Sequence, residues 1–386
     1  MPVLNVKIGG MRTFLLTILK TILVIIVVLT GIWYLFGQGG PLYDKGQEIA
    51  GLIFSQEDDF QTDESGLQPE SAQDTESSEE ATDFETTEEE EAEPVDQTAT
   101  ILFTGDVEIS EYVQAKYSSS GIDGIISPTL QQEMRDATVT MINNEFCFST
   151  RGEKAADKQY TFRVDPSYVS LLTDLGVDIA GLANNHVLDY GRDALTDTFT
   201  TLTDAGIEYT GAGDSLEDAS KLIVKTDAKG RTYGFLAASH VIPVASWNVE
   251  NAQPGVFCFY DNTALIAAVK EAASQVDYLF VMVHWGTEHT TELTSYQVSD
   301  GHAIIDAGAT AVIGMHSHCL QPMEYYQGKP IFYSLGNYIF NANITSGGAV
   351  AFDFDENDNM TVRFIAVNAS DTYTKESGES LPEMSQ

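Results

Sequence analysis

The most informative feature of this chain is a set of largely apolar runs that end near histidines. Residues 177–182, 278–283 and 309–313 are short, mostly apolar segments of the length that is typical of buried strands. The imidazoles that follow them are His186, His284, His316 and His318. Because the carboxyl ends of strands in an open α/β sheet meet at one crevice, these histidines are expected to lie close together. A purely structural role is the alternative for any one of them.

Segments with helical spacing of apolar residues alternate with the strand-like runs, which is typical of a layered α/β domain. The expected strands lie at 98–104, 138–142, 177–182, 278–283 and 309–313, and the expected helices at 130–137, 166–175, 194–205, 263–274 and 296–307. A hairpin over 221–237 and a β-rich stretch over 330–367 complete the pattern. The sequence therefore predicts an α/β fold for residues 99–368, followed by a disordered tail at 369–386.

The amino-terminal part of the chain has the pattern of a membrane anchor. Residues 13–36 carry no charge other than Lys20, and at about 1.5 Å per residue a helix of this length spans roughly 36 Å, enough to cross a bilayer. Basic residues lie before and early in this span, which places residues 1–12 in the cytoplasm. The expected localisation is the cell membrane, with one pass and an extracellular carboxyl-terminal domain. A cleaved signal peptide is the alternative.

Residues 37–98 are predicted to form a disordered acidic stalk between the anchor and the folded domain. From residue 55 to residue 98 the chain is rich in Glu, Asp, Ser and Thr and has no Lys or Arg, a composition that cannot bury enough apolar surface to fold. An interaction tail for cations or a basic partner is the alternative. The net charge of the chain is −39, which argues against a nucleic-acid partner because such binding needs a basic surface.

Carboxylate, amide and imidazole side chains follow the predicted strands and are typical ligands of a divalent metal centre. They are Asp106, Glu145, Asn185, His186, His284, His316 and His318. Mixed oxygen and nitrogen ligands suit Mn, Fe or Zn, and seven are enough for two ions that share a bridging carboxylate. The three cysteines have no CxxC spacing, so neither a disulfide framework nor a zinc finger is expected. The absence of a GxSxG motif argues against a serine hydrolase.

Five segments of the chain resemble the CapA family of poly-γ-glutamate capsule biosynthesis proteins. They are ILFTGDVEIS, INNEFCF, DIAGLANNHVLDYG, VMVHWGTEH and VIGMHSHCLQPMEYYQGKPIFYSLGNYIF. The resemblance covers residues 99–368 and implies a calcineurin-like metallophosphoesterase fold, a four-layer α/β/β/α sandwich. It also implies two divalent ions, with the ligands Asp106, Glu145, Asn185, His284, His316 and His318. By the same resemblance, Asp106 and His186 are the expected catalytic residues, and His186 is the general acid near the leaving group.

The chain departs from the family pattern at two places. Phosphoesterases of this fold begin with an Asp-x-His motif, whereas Glu108 occupies the third position here. CapA-like proteins often carry Gly-His-His-Pro-His, and in this chain Met315 and Ser317 replace the second and fourth residues. One metal position is therefore expected to be weaker or differently liganded.

Three functions remain open from the sequence. The first is a metal-dependent hydrolase or transferase that acts outside the membrane on an anionic surface polymer such as poly-γ-glutamate. The second is a non-catalytic component of a complex with membrane-embedded polymer synthesis or export proteins. The third is a general extracellular phosphoesterase. Because the chain is acidic, docking of a polyanion requires metal ions or local basic residues such as Arg151, Lys154 and Lys158.

Overall fold

The computed structural model describes residues 97–249 and 253–384. The predicted anchor at 13–36 and the predicted stalk, apart from residues 97 and 98, lie outside these ranges. Among the residues that are described, no helix combines the length and the apolar character that crossing a membrane requires.

Helices and strands alternate along the described residues up to about residue 315, and strands dominate afterwards. The helices are α1 Glu111–Ser120, α2 Pro128–Asp136, α3 Val169–Asp174, α4 Gly191–Asp204, α5 Leu216–Ala219, α6 Thr263–Ala273 and α7 Ser295–Asp306. The strands are β1 Ala99–Val107, β2 Val139–Asn144, β3 Cys147–Phe148, β4 Arg163–Val164, β5 Ile179–Gly181, β6 Glu208–Thr210, β7 Ala212–Gly213, β8 Ile223–Thr226, β9 Thr232–Ser239, β10 Gly255–Val256, β11 Tyr278–His284, β12 Ala311–Met315, β13 Met323–Tyr326, β14 Lys329–Phe332, β15 Asn337–Ile339, β16 Ile344–Phe354, β17 Met360–Ser370 and β18 Tyr373–Glu376.

The first sheet has the strand order β18–β17–β16–β1–β2–β5–β6, and β15 also pairs with β1. Strands β1, β2, β5 and β6 run parallel to one another, whereas β16, β17 and β18 form an antiparallel meander. In the parallel half, Asp106 of β1 lies beside Asn143 of β2. The pairing therefore brings the polar residues that end these strands to one edge of the sheet.

The second sheet has the order β13–β14–β12–β11–β9–β8. Strands β9, β11, β12 and β14 are parallel, and β8 and β9 form the hairpin that the sequence predicts at 221–237. His284 ends β11 beside Met315 of β12 and Ser239 of β9. The apolar runs at 278–283 and 309–313 thus form neighbouring strands. Both strands are buried, as continuous apolar strands of parallel sheets usually are.

Aromatic side chains join the two sheets face to face. The ring of Phe103 in β1 lies 5.2 Å from that of Phe280 in β11, and Phe280 lies 4.8 Å from Phe352 in β16. On the outer face of the second sheet, helices α6 and α7 bury apolar residues such as Leu265 and Ile304. The described residues therefore form a mixed α/β fold of two packed sheets with helices, which confirms the predicted α/β class.

The end of the chain differs from the prediction of a disordered tail at 369–386. Strand β17 extends to Ser370, β18 follows at Tyr373–Glu376, and the backbone of Met384 donates to the carbonyl of Met323. The side chain of Thr374 is buried, and its backbone bonds to the loop before α2. This segment is short and polar, so its order comes from pairing with β17 and could not be read from hydrophobic pattern.

Gly314 allows β12 to approach its neighbours closely, and Gly314→Ala is expected to destabilise the protein. A Cβ at this position would lie 2.1 Å from the carbonyl oxygen of Tyr333 and 2.6 Å from Nε1 of Trp285. Overpacking of this kind lowers the free energy of unfolding by about 1–3 kcal/mol. Urea unfolding measures that loss. Gly301→Ala, in helix α7, is the control, because its Cβ would meet only the side chains of Ile331 and Trp285 at an ordinary distance of 3.4 Å. Equal stability of the two variants would contradict the close packing at Gly314.

Candidate metal site

The carboxyl ends of parallel strands from both sheets meet at one buried cluster. Asp106 comes from β1, Glu145 follows β2, and His284 ends β11. The others lie in the loops that follow β5 and β12, namely Asn185, His186, His316 and His318. All seven are buried or nearly so. The structure thus brings together every side chain that the sequence assigns to the metal centre, although their roles remain predictions.

The carboxylate of Glu145 is the centre of this cluster. Its Oε1 atom lies 3.7 Å from Nε2 of His284, 3.9 Å from Nε2 of His318 and 4.0 Å from Nε2 of His186. These distances are too long for hydrogen bonds, and Oε1 has no hydrogen-bond partner although it is buried. A buried carboxylate oxygen that faces three imidazole nitrogens at this spacing leaves room for a cation between them.

Two overlapping groups of side chains could each hold an ion. One group is Glu145, His284 and His316, the other is Asp106, Glu145 and His318, and within each group the ligand atoms lie within 4.8 Å of one another. Nδ1 of His316 is also buried without a hydrogen-bond partner. Because buried polar atoms without partners are rare in folded proteins, these two unpaired atoms fit a site that divalent ions complete. Glu145 belongs to both groups and could therefore be a ligand at either position.

Asn185 and His186 approach the cluster from the loop after β5. Oδ1 of Asn185 lies 2.9 Å from Nε2 of His284, next to the first group. Nδ1 of His186 lies 2.7 Å from Oδ2 of Asp189, so the opposite nitrogen, Nε2, faces Glu145. This is the arrangement of a histidine that is oriented by a carboxylate and presents its other nitrogen to the site.

Burial and mutual charge shift the pKa values of the cluster in opposite directions. Burial, aided by the charge of Asp106, raises the pKa of Glu145 well above its ordinary value. Burial lowers the pKa of His284 well below 6.5 and that of His316 to about 4. For His318, burial alone would lower the pKa, but the neighbouring carboxylates of Glu145 and Asp106 raise it to about 10. Metal ligands must be deprotonated, so divalent ions would compete with protons for these carboxylates and imidazoles.

The His-x-His segment after β12 has an unusual backbone. His316 has φ 95° and His318 has φ 55°, values that residues other than glycine rarely adopt. The amide of His316 donates to Oδ2 of Asp106 at 3.3 Å, and Nδ1 of His318 lies 2.9 Å from Oδ1 of Asn337. Such backbone strain concentrates at functional sites, where the surrounding contacts hold it in place.

Sequence reasoning missed several residues that support the cluster. Asn143 Nδ2 donates to Oδ1 of Asp106 at 2.8 Å and lies 3.3 Å from Oε2 of Glu145. Asn184 in turn donates to Oδ1 of Asn143 at 3.0 Å. Asn143 directly follows the predicted strand at 138–142, so its position could have indicated that it belongs to the site. Asn337 had no such signal, because it lies within residues 330–367, for which the sequence predicts only a β-rich stretch.

A cleft of about 310 Å³ opens beside the cluster. Its lining side chains are Glu108, Tyr160, Phe162, His186, Glu288, His289, His318, Asn337, Phe340, Asn341 and Asn343. Neither lysine nor arginine is among these described lining residues. Glu108, at the position where the first motif departs from Asp-x-His, is almost fully buried, and burial raises its pKa to about 8. The cleft is therefore aromatic, amide-rich and acidic.

Without metal, the protein is expected to lose stability as the pH rises from about 5 to about 8, in part through Glu108. Its pKa in the folded state, about 8, is above the ordinary value of 4.5, so the folded state retains a proton that the unfolded state releases. This contribution is complete below the unfolded pKa and is lost as the pH rises through the folded one. Urea unfolding of EDTA-treated protein across this range measures the slope. Glu108→Gln should flatten it, whereas Glu271→Gln, at an exposed position of helix α6, should not; equal slopes would contradict the assignment.

The fold and the cluster define the class of this protein as a mixed α/β protein with a candidate divalent metal centre at its strand ends. A model of the family described as bacterial capsule synthesis protein PGA_cap matches residues 100–342, more than half of the chain. The chain therefore belongs to this family, and the resemblance to CapA that its motifs carry is confirmed.

Relatives of known name agree with this assignment. The chain is 31% identical over 246 residues to the PGA biosynthesis protein CapA of Bacillus subtilis, which covers 63% of each chain. It is 35% identical over 210 residues to a probable polyglutamine synthesis accessory protein of Mycobacterium tuberculosis, over 52% of this chain and 55% of the relative. The matches thus span less than two thirds of these relatives. A solved structure from Thermus thermophilus, at 9% identity and a TM-score of 0.39, covers 69% of this chain and 98% of its own.

Proposed function

We propose that this protein is a metal-dependent hydrolase or transferase that acts outside the membrane on an anionic surface polymer such as poly-γ-glutamate. The observation that carries the proposal is the buried, unpartnered Oε1 of Glu145, which two potential ligand groups share. The polymer class comes from the names of the relatives in Bacillus subtilis and Mycobacterium tuberculosis. The fold would be the calcineurin-like metallophosphoesterase type, with two central sheets between helices.

The ligands of the two proposed ions follow from the two groups. Glu145, His284 and His316, together with Asn185, would hold one ion, and Asp106, Glu145 and His318 would hold the other. Divalent ions of this kind, such as Mn, Fe or Zn, polarise a scissile bond and lower the pKa of water. The residues present fit such ions because they supply carboxylate, amide and imidazole ligands around unpaired buried atoms.

The remaining chemistry belongs to side chains of the chain. His186 would hold a proton on Nε2 and deliver it to the leaving group, since Nε2 faces the cluster while Nδ1 is held by Asp189. Asn143 would keep Asp106 and Glu145 in place through its amide. Phe162 and Phe340 line the cleft and would exclude water beside the reacting bond.

Location and partners complete the proposal. Residues 13–36 would anchor the protein in the cell membrane with residues 1–12 in the cytoplasm, and the acidic stalk would hold the α/β domain outside. Polymer synthesis or export proteins of the same membrane would supply the substrate. A second candidate is a non-catalytic component of that complex. The lining of the cleft favours it, because Glu288 lies there and the described lining residues include neither lysine nor arginine to attract a polyanion.

A polymer assay distinguishes these functions. The purified full-length protein, loaded with manganese, would be incubated with poly-γ-glutamate and, separately, with bis(p-nitrophenyl) phosphate. The proposal expects metal-dependent shortening or transfer of the polymer, which gel electrophoresis detects and which Glu145→Gln abolishes. Turnover of the phosphodiester alone would indicate a general phosphoesterase. A fully metal-loaded protein that changes neither compound would favour the non-catalytic component.

A further inference from the structure

The loop at 149–162 is fastened to the segment that carries Asn185 and His186. Arg151 forms an ion pair of 2.6 Å with Asp197, and the amide of Ala155 donates to the carbonyl of Asp189 at 2.8 Å. The amide of Phe162 donates to Oδ2 of the same aspartate at 2.8 Å. These contacts, spread along the loop, hold it against the back of the candidate metal site.

Lys158 is a largely buried residue of this loop that contacts the segment carrying Asn185 and His186. Its Nζ lies 2.5 Å from the carbonyl oxygen of Asn185 and 3.0 Å from Nδ1 of His186, and it forms an ion pair with Oδ1 of Asp189. The side chain is only 13% exposed, and its ammonium lies 5.6 Å from the centre of the Trp247 ring. The carbonyl of Asn185 and the carboxylate of Asp189 accept from two of the three N–H donors of the ammonium.

Phe162, from the end of the same loop, fixes the plane of the His186 ring. The two rings stack at 4.3 Å between centroids with an angle of 27°. The loop therefore contacts His186 both on its face, through Phe162, and at Nδ1, through Lys158. Together with Asp189, these contacts leave Nε2 as the nitrogen that faces Glu145.

The ammonium acts on His186 through Asp189. Nδ1 of His186 lies 2.7 Å from Oδ2 of Asp189, the geometry of a ring N–H that donates to a carboxylate, and Lys158 holds the other oxygen of the same carboxylate. Loss of the ammonium would therefore release Asp189 and, with it, the ring that Asp189 orients.

We propose that Lys158 is a positioning residue, which fixes the orientation of His186 through Asp189 and holds the backbone that carries Asn185. Its effect on a reaction rests on the proposed function, but its effect on His186 does not. The sequence suggests that Lys158 could neutralise a bound polyanion. Its contacts in the structure instead support the candidate site.

Nuclear magnetic resonance of the histidine ring nitrogens tests the positioning directly. Spectra of the zinc-loaded full-length protein would be compared for wild type, Lys158→Met, Lys158→Arg and Lys154→Met. Lys158→Met should shift the signals of the His186 nitrogens, because Asp189 no longer holds the ring in one orientation, while those of His284 move little, because His284 does not contact the lysine. Lys158→Arg should largely restore the wild-type signals. Lys154 is an exposed residue of the same loop, so Lys154→Met should change nothing.

Kinetic and metal-binding measurements add a second readout. With bis(p-nitrophenyl) phosphate or poly-γ-glutamate as substrate, Lys158→Met should lower kcat by roughly 10- to 100-fold with little change in KM, because a misplaced catalytic group costs rate. Bound zinc should stay near the wild-type level.

Unchanged His186 signals in Lys158→Met would overturn the proposal, whatever the activity. If this variant does not fold, Lys158→Gln takes its place, and wild-type signals there would overturn it equally. A shifted His186 in a protein that turns over no substrate would support the positioning role and contradict the proposed function instead.

Discussion

Glu145→Gln is expected to remove metal binding at both positions. Glu145 belongs to both groups of three ligands, so its loss leaves each proposed ion with an incomplete set. Replacement of residues that merely support metal ligands already costs 10- to 100-fold in affinity, so loss of a shared carboxylate should cost roughly 100-fold or more. Manganese titration followed by the melting temperature measures this, because ligand binding raises the stability of the wild type.

The metal-free form of this variant provides a check on its fold. Burial raises the pKa of Glu145 and so favours its neutral form, which glutamine resembles in size and charge, and the circular dichroism spectrum of metal-free Glu145→Gln should therefore match the wild type. Glu108→Gln is the matched control, since Glu108 is also buried but belongs to neither group. A wild-type melting response to manganese in Glu145→Gln would contradict the shared-ligand role.

His186→Gln and His318→Gln are expected to separate catalysis from metal binding. His186 faces the cluster without belonging to either ligand group, whereas His318 belongs to the second group. His186→Gln should lower turnover by roughly 10²–10⁴-fold, the usual contribution of proton transfer by a positioned side chain, with metal content nearly unchanged. His318→Gln should lower both turnover and metal content. Elemental analysis of the two variants, together with assays on poly-γ-glutamate, measures the difference.

A structural role for His186 is the competing interpretation of the same contacts. The hydrogen bond to Asp189 would then only brace the loop after β5. In that case His186→Gln would turn over normally with full metal while its melting temperature falls. Normal turnover would therefore contradict the general-acid role of His186 and support its structural role.

The candidate site was predictable from sequence because its residues follow apolar strands. A run such as 278–283 identifies a buried parallel strand, and the carboxyl ends of such strands meet at one edge. His284 and His316 could therefore be assigned to one place before the distance between them was known. The division into two ligand groups, with Glu145 in both, was not predictable, because it depends on how the two sheets pack.

Contacts made by loops and by the end of the chain could not be predicted from the hydrophobic pattern. Lys158 lies in a loop without periodicity, and nothing in its neighbourhood indicates that it contacts His186 rather than solvent. Strand β18 contains Thr374 between polar residues, and only its pairing with β17 makes it a strand. The structure of such elements depends on residues that are distant in sequence, whereas a long apolar strand can be predicted from its own residues.

The metal content of the purified protein tests the central claim most directly. Elemental analysis after mild purification, with anomalous diffraction from crystals grown with manganese, would give the number of ions and their ligands. The account predicts two ions on either side of Glu145, one with His284 and His316 and the other with Asp106 and His318. Protein that carries no metal and binds none when manganese or zinc is added, or ions bound away from Glu145, would contradict it.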